Sequence, residues 1–175
     1  MHGYGALGVR ELEKLTGLNK FAIRSEFGGK EGLYLEALRY YAEEAKVTVL
    51  APMCSGGIET IEAFFEGLVT EGCINSSRWG CLIVNTGIEN AELNRPALQA
   101  ASDDYWATLG QHFETALKKS IETGEIDRTL NVGEASKGLV TAVMGIHTMN
   151  RVSSAHDAGA SLVSMVRDLI TSWKR

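Results

Sequence analysis

Residues 8–35 read Gly-Val-Arg-Glu-Leu-Glu-Lys-Leu-Thr-Gly-Leu-Asn-Lys-Phe-Ala-Ile-Arg-Ser-Glu-Phe-Gly-Gly-Lys-Glu-Gly-Leu-Tyr-Leu. Val9, Leu12 and Leu15 recur at a helical spacing, which predicts a first helix from about Val9 to Leu15. Thr16 and Gly17 end it, because glycine tolerates the left-handed backbone of a helix C-terminus. Asn19 is a good N-cap, so a second helix starts near Lys20. Ile23 and Phe27 face inward on it and form a small apolar wedge with Leu12, Leu15 and Leu18. Lys20, Phe21 and Arg24 stay near its exposed N-terminal side. A helix-turn-helix that enters the major groove of DNA presents its second helix in this way. An ordinary helix pair in any all-α core shares the periodicity, so spacing alone leaves both readings open.

Working outward, Tyr34, Leu38, Tyr41, Ala45 and Val49 mark one long amphipathic helix that ends before Pro52. Met53 to Gly57 reads as a loop. Ile58, Ile61, Phe65, Leu68 and Val69 predict a helix reaching about Cys73, and Asn75 to Gly80 breaks the pattern. Cys81 to Ala91 has a strand-like Leu82-Ile83-Val84 run but no pairing partner, so it is read as a buried helix. Pro96 suits a first helical turn, and the apolar face from Leu98 to Leu117 carries that helix to about Thr123. Asn131 and Glu134 resemble a capping box opening a helix from about Val132 to Val152. A last helix runs from about Asp157 to Trp173. The predicted class is all-α.

Composition bounds the function. The 175 residues carry a net charge of −5, too acidic overall for a coat of nucleic acid, yet the charge is uneven. Residues 8–30 hold five basic and three acidic side chains, a net of +2, whereas residues 47–175 hold ten basic and fifteen acidic. The acidic part is expected to face away from DNA. No apolar run approaches the ~18 residues of a membrane span, and no basic-then-apolar leader pattern is seen. A cytoplasmic location without membrane partners is therefore expected. Cys54, Cys73 and Cys81 suggest neither a disulfide framework nor a zinc site. His2, His112, His147 and His156 lack metal-ligand spacing. There is no glycine-rich phosphate loop after a strand and no nucleophile motif, so neither enzyme activity nor a metal or cofactor is implied.

Several side chains are candidates to line a cavity between helices, where bundles place ligands. They are Phe64, Phe65, Tyr105, Trp106, Met144 and His147, although aromatic and Met residues at helical spacing are more commonly core. Asn85 and Glu89 share one helical face and are costly to bury unless they pair with each other, with backbone or with a ligand. Cys81 would act as a thiol sensor only if a helix N-terminus lowered its pKa; an inert buried thiol is the competing reading. Ala135, Gly138, Ala142 and Gly145 form a stripe of small residues, which permits close helix approach within the chain or between two copies.

The run Thr16-Gly17-Leu18-Asn19-Lys20, with the aromatic Phe27 ahead of Gly29-Lys30-Glu31-Gly32-Leu33, is similar to the DNA-binding segment of TetR-family transcriptional repressors. The resemblance implies that Asn19, Lys20, Phe21 and Arg24 face double-stranded operator DNA and that Lys30 touches phosphate. It also implies an all-helical remainder that binds a small-molecule effector and forms a homodimer through its last two long helices. The dimer would use Ala135, Gly138, Ala142 and Gly145 on one helix and Leu162, Met165 and Leu169 on the other. The segment from Trp79 through Gly80, Cys81 and Asn85 to Glu89 resembles an element that lies beside the ligand cavity in one group of the family, which adds Cys81, Asn85 and Glu89 to the effector candidates. Two functional parts follow, residues 1–46 for DNA and residues 47–175 for effector and dimer.

The chain departs from the family pattern. Arg24 stands where a Tyr is usual and Glu26 where a His is frequent; arginine can grip a phosphate or a guanine, whereas Glu26 adds negative charge. The family places a full helix before the motif, yet eight residues precede Val9, and Gly3, Gly5 and Gly8 disfavour a helix there. The wedge then lacks a cover. Half-exposing four side chains worth ~1.5–3 kcal/mol each removes about 3–6 kcal/mol, against the ~5–15 kcal/mol that holds a domain together. A loose N-terminal region is expected. The leading reading is a repressor released from its operator by a small organic effector. The alternative is a dimeric helical ligand-binding protein that does not bind DNA.

Overall fold

The computed structural model describes residues 4–175, so the expectations for His2 and Gly3 lie outside the described residues. Helix α1 (Val9–Thr16) ends where Gly17 adopts φ +73°, a left-handed turn that L side chains resist. Asn19 then opens α2 (Lys20–Phe27), its side-chain oxygen accepting the amides of Phe21 and Ala22 at 3.0 and 2.9 Å. Glu13 reaches from α1 to accept the Lys20 amide at 2.6 Å, so both helices satisfy the free donors of the second. Ile23 is buried between them. The wedge is smaller than the spacing suggests. Leu15 is 67% exposed and Val9 is exposed, because that side of α1 meets no other element among the described residues.

Helix α3 (Lys30–Ala45) packs close to the end of α2. A Cβ on Gly32 would fall inside the van der Waals shell of the Phe27 carbonyl, so the junction requires glycine. The long helix expected to stop before Pro52 instead changes pitch and continues. Residues Lys46–Leu50 form a π-helical turn and Ala51–Cys54 a 3-10 turn. Pro52 has no amide to give to an α-helical bond, and the altered pitch absorbs that loss.

Helix α4 (Ile58–Gly67) stops short of the expected Cys73, since Leu68 and Val69 donate to carbonyls three residues back and the chain tightens into turns. Its first amide, that of Ile58, is capped from elsewhere by the Ser120 hydroxyl at 2.7 Å. Helix α5 (Leu82–Leu93) confirms the helical reading of the Leu82-Ile83-Val84 run. Asn90 of α5 holds the following turn by bonding both the amide and the carbonyl of Arg95. Helix α6 (Pro96–Thr123) begins on its proline, and α7 (Val132–Ser153) begins on the Asn131 cap as expected. Helix α8 (Ala160–Trp173) starts three residues later than Asp157. The reason is Asn150 of α7, fully buried, whose amide nitrogen bonds the Leu68 carbonyl while its oxygen accepts the Gly159 amide at 3.0 Å.

Two apolar clusters result. The larger joins α4, α6, α7 and α8 around Ile61, Phe65, Leu109, Phe113, Ile146 and Ile170. Phe65 stacks on Phe113 at 5.9 Å. The smaller cluster unites Tyr4, Leu38, Cys81, Ile83, Leu98 and Tyr105. It therefore draws together the segment before α1, the middle of α3 and helices α5 and α6. No strand occurs among the described residues, and no helix among them is long and apolar enough to cross a membrane.

Candidate DNA-reading surface and effector cavity

At the N-terminal end of α2, Lys20, Phe21, Arg24 and Lys30 border one shallow cleft of about 340 Å³, with Ile23 at its base. Phe21 is 72% exposed, and the Lys20 ammonium lies 5.2 Å from its ring centroid. The Lys30 ammonium rests 4.4 Å over the Tyr4 ring, a cation–π contact that fixes its direction without neutralising it. No ion pair engages Lys20, Arg24 or Lys30 among the described residues, so three positive charges surround an apolar side chain at a helix start. Asn19 stands at the same end but gives its oxygen to the α2 cap. Glu26 is exposed on α2 and accepts the Ser25 hydroxyl at 3.3 Å.

Ahead of α1, Tyr4 and Gly5 are held rather than loose. Glu89 of α5 accepts the amides of Tyr4 and Gly5 at 2.6 and 2.9 Å, and Tyr4 is largely buried against the ring of Tyr34. The Tyr34 hydroxyl in turn bonds the Thr86 hydroxyl at 2.7 Å. Tyr4 and Gly5 are therefore tied to the α5 face.

A second hollow of about 380 Å³ lies between α3, the π turn, α4, α5, α6 and α7. Its walls are chiefly Tyr40, Tyr41, Phe64, Leu82, Tyr105 and His147, with Glu44 at the rim. His147 is only 6% exposed, and its Nδ1 is closed to solvent without a partner among the described residues. Burial pushes its pKa down to about 4, which keeps the ring neutral near pH 7. Burial likewise pushes the Tyr41 and Tyr105 hydroxyls up, so both remain donors.

Of the sequence candidates for the effector, the structure brings Phe64, Tyr105 and His147 to this hollow. Phe65, Trp106 and Met144 pack into the clusters instead. Asn85 gives its amide to the Trp79 carbonyl at 2.9 Å and Glu89 grips backbone amides, so both find protein partners away from the hollow. Cys81 sits at the start of α5, where a lowered pKa was the condition for a thiol sensor. Burial raises it instead, and the Tyr41 hydroxyl donates to its sulfur at 3.4 Å. In the sequence Tyr41 is part of an apolar helix face and Tyr40 carries no reading, and the π turn that brings Thr48 and Val49 to the wall leaves no sequence signal.

On α7 and α8 the small-residue stripe divides. Gly145 faces Leu162 of its own chain, whose Cδ2 lies 3.1 Å from where a Cβ would sit, and Ala135 and Ala142 pack on the larger cluster. Gly138 opens onto empty space. Met149, Val152, Met165 and Leu169 stand exposed on the same two helices, the first two missed in the sequence. Among the described residues no group of three or more His, Cys, Asp or Glu side chains is placed to hold a metal ion.

Comparison with known proteins places this architecture among others. A family model described as tetracyclin repressor-like, C-terminal domain, matches residues 57–166. The HTH-type transcriptional repressor AcnR of Corynebacterium glutamicum is 24% identical over 174 residues, covering 99% of this chain and 85% of AcnR. A TetR-family transcriptional regulator from Cytophaga hutchinsonii superposes with a TM-score of 0.84 at 19% identity, covering 98% of this chain and 86% of its own. A cysteine mutant of the TetR-family regulator CifR, solved with 26-bp double-strand operator DNA, superposes with a TM-score of 0.74 at 16% identity, covering 98% and 88% of the two chains.

Proposed function

Because the chain belongs to the TetR family of transcriptional regulators, we propose that it is a homodimeric repressor whose α2 reads an operator and whose aromatic hollow binds a small organic effector that releases the DNA. The observation that carries the DNA reading is the cleft shared by Lys20, Phe21, Arg24 and Lys30 at the start of α2. The curated relative AcnR is named a repressor, and a structural neighbour is seen on operator DNA. In this reading residues 1–46 face DNA, while residues 47–175 hold the effector and the dimer contact. Met149, Val152, Met165 and Leu169 offer that contact an exposed apolar face.

Helix α3 supports the coupling. Its first residue, Lys30, borders the cleft, and Tyr40, Tyr41 and Glu44 farther along it border the hollow. An effector that fits only one tilt of α3 shifts the separation of the two recognition helices away from the ~34–36 Å that successive major grooves demand. By reciprocity, bound operator weakens effector binding to the same degree.

The exposure of Leu15 favours a second reading, an effector-binding dimer that does not engage DNA. One titration separates the two. Fluorescence anisotropy with the DNA upstream of the chain's own gene gives saturable, sequence-preferring binding that weakens with salt if the repressor reading holds. Binding that is equally weak to unrelated DNA overturns it in favour of the second.

A further inference from the structure

His147 is the unexplained polar group of the hollow. Its Nδ1 is shut from solvent and unpartnered among the described residues, in a wall it shares with the aromatic side chains of Tyr40, Tyr41, Phe64 and Tyr105. Nδ1 is closed even to a water-sized probe, so a ligand in the hollow meets the ring through its other nitrogen, and an imidazole in a cavity wall that makes no bond among the described residues points to a partner that arrives with a ligand. No Lys or Arg borders the hollow, and its one carboxylate, Glu44, is at the exposed rim where water and salt screen it. The polar groups of the walls, Thr48, Asn75 and the tyrosine hydroxyls, carry no positive charge to pair with an anion, and burying a charge unpaired is costly. At about 380 Å³ the space is at the small end of the ~300–1,000 Å³ of ligand sites and suits a scaffold of about two fused rings.

We infer that the effector is an uncharged aromatic compound bearing a hydroxyl or similar hydrogen-bonding group, and that the His147 imidazole is the specificity-determining residue that orients it. This rests on the reading of the hollow as the effector site. A neutral imidazole offers one donor and one acceptor, so it matches a hydroxyl in either direction. The four aromatic side chains select a flat body, and the histidine selects where its polar group points.

Equilibrium dialysis of the full chain at pH 7.5 against 2-naphthol, naphthalene, 2-naphthoate and 2-(aminomethyl)naphthalene tests the assignment. 2-Naphthol should bind about three- to tenfold tighter than naphthalene, the worth of one net hydrogen bond, and 2-naphthoate weakest of all. His147→Leu should erase the preference of 2-naphthol over naphthalene while leaving naphthalene binding unchanged or stronger. His147→Gln, which keeps a donor and an acceptor, should retain part of it. Circular dichroism of both variants establishes that they are folded. If the preference survives His147→Leu in the folded variant, or if the ammonium or carboxylate probe binds most tightly, the inference fails and the effector site stands. Absence of binding by all four probes overturns the effector site itself, and the inference with it.

Discussion

The Glu89 carboxylate accepts the backbone amide of Tyr4 at 2.6 Å and that of Gly5 at 2.9 Å, tying α5 to a segment 85 residues away in the chain. Hydrogen bonds to a charged group are worth more than neutral ones, though partial exposure reduces the gain. Glu89→Ala should therefore lower global stability by only about 1 kcal/mol while accelerating amide exchange at Tyr4 and Gly5 many-fold. Exchange measured by NMR checks this; protection unchanged at those two amides would mean that the carboxylate does not hold the segment.

Gly32 lies against the Phe27 carbonyl with no room for a side chain. Backbone cannot rotate away as a side chain can, so Gly32→Ala must push α3 from α2. The expected loss is about 1–3 kcal/mol, with a larger effect on operator affinity than on the melting of the α4–α8 bundle. Thermal unfolding followed together with anisotropy separates the two.

Asn150 fills two bonds with one side chain, accepting from Gly159 and donating to Leu68. Asn150→Ala leaves a buried amide and a buried carbonyl unpaired. At ~1–3 kcal/mol for each group, a total loss of about 2–6 kcal/mol is expected, seen as a lower urea midpoint with an unchanged slope.

The neutral, buried His147 predicts a pH response with a definite sign. Its folded pKa of about 4 lies below the ordinary histidine value, so between the two the unfolded chain binds more protons than the folded one. Stability is then full above about pH 6.5 and falls as pH drops toward 4, by roughly 3 kcal/mol over the interval. His147→Leu should flatten that part of the profile. Urea midpoints at half-unit pH steps provide the check; parallel profiles for the two proteins would contradict the assignment.

The exposed pair Met165 and Leu169, 67% and 50% accessible, lies on α8. If these side chains meet a second copy, Met165→Glu places a charge in a dehydrated contact and should convert the dimer to a monomer at micromolar concentration without unfolding it. Sedimentation equilibrium reads this directly. A variant that sediments as the wild type excludes Met165 from the contact.

The residues that announced the fold were those acting on their near neighbours. Asn19, Pro96 and Asn131 start helices where the sequence says they should, because a cap or a proline needs only two or three adjacent residues. The continuation of α3 through Pro52 was not legible, since Leu50 and Met53 become buried only by packing on distant helices. Leu68 and Val69 keep the apolar rhythm of α4 after its α-helical bonds have ended, so periodicity ran past the true stop. For the site, Phe64, Tyr105 and His147 share a wall, as bundle packing led one to expect, although Phe65 beside the first turned into the core. Asn85 and Glu89, offered by the sequence as effector candidates, bond within the protein instead. The partners are backbone atoms that no spacing rule could supply.

The smaller apolar cluster runs across the point between residues 46 and 47, with Leu38 of α3 buried among Cys81, Leu98 and Tyr105. For anyone wishing to transplant the reading head onto a different sensor, this means the seam cannot be cut inside the long helix. A chimera joined there would inherit half of a core and half of a helical turn from each parent. The Gly28-Gly29 turn ahead of Lys30 is the better splice, provided the incoming segment also brings a helix end whose carbonyl seats on Gly32 as that of Phe27 does and a residue that fits the place of Tyr4 between Lys30, Tyr34 and Glu89. The break that suits a splice is a two-residue turn, and α3 goes with α5 and α6, on which its Leu38 is buried.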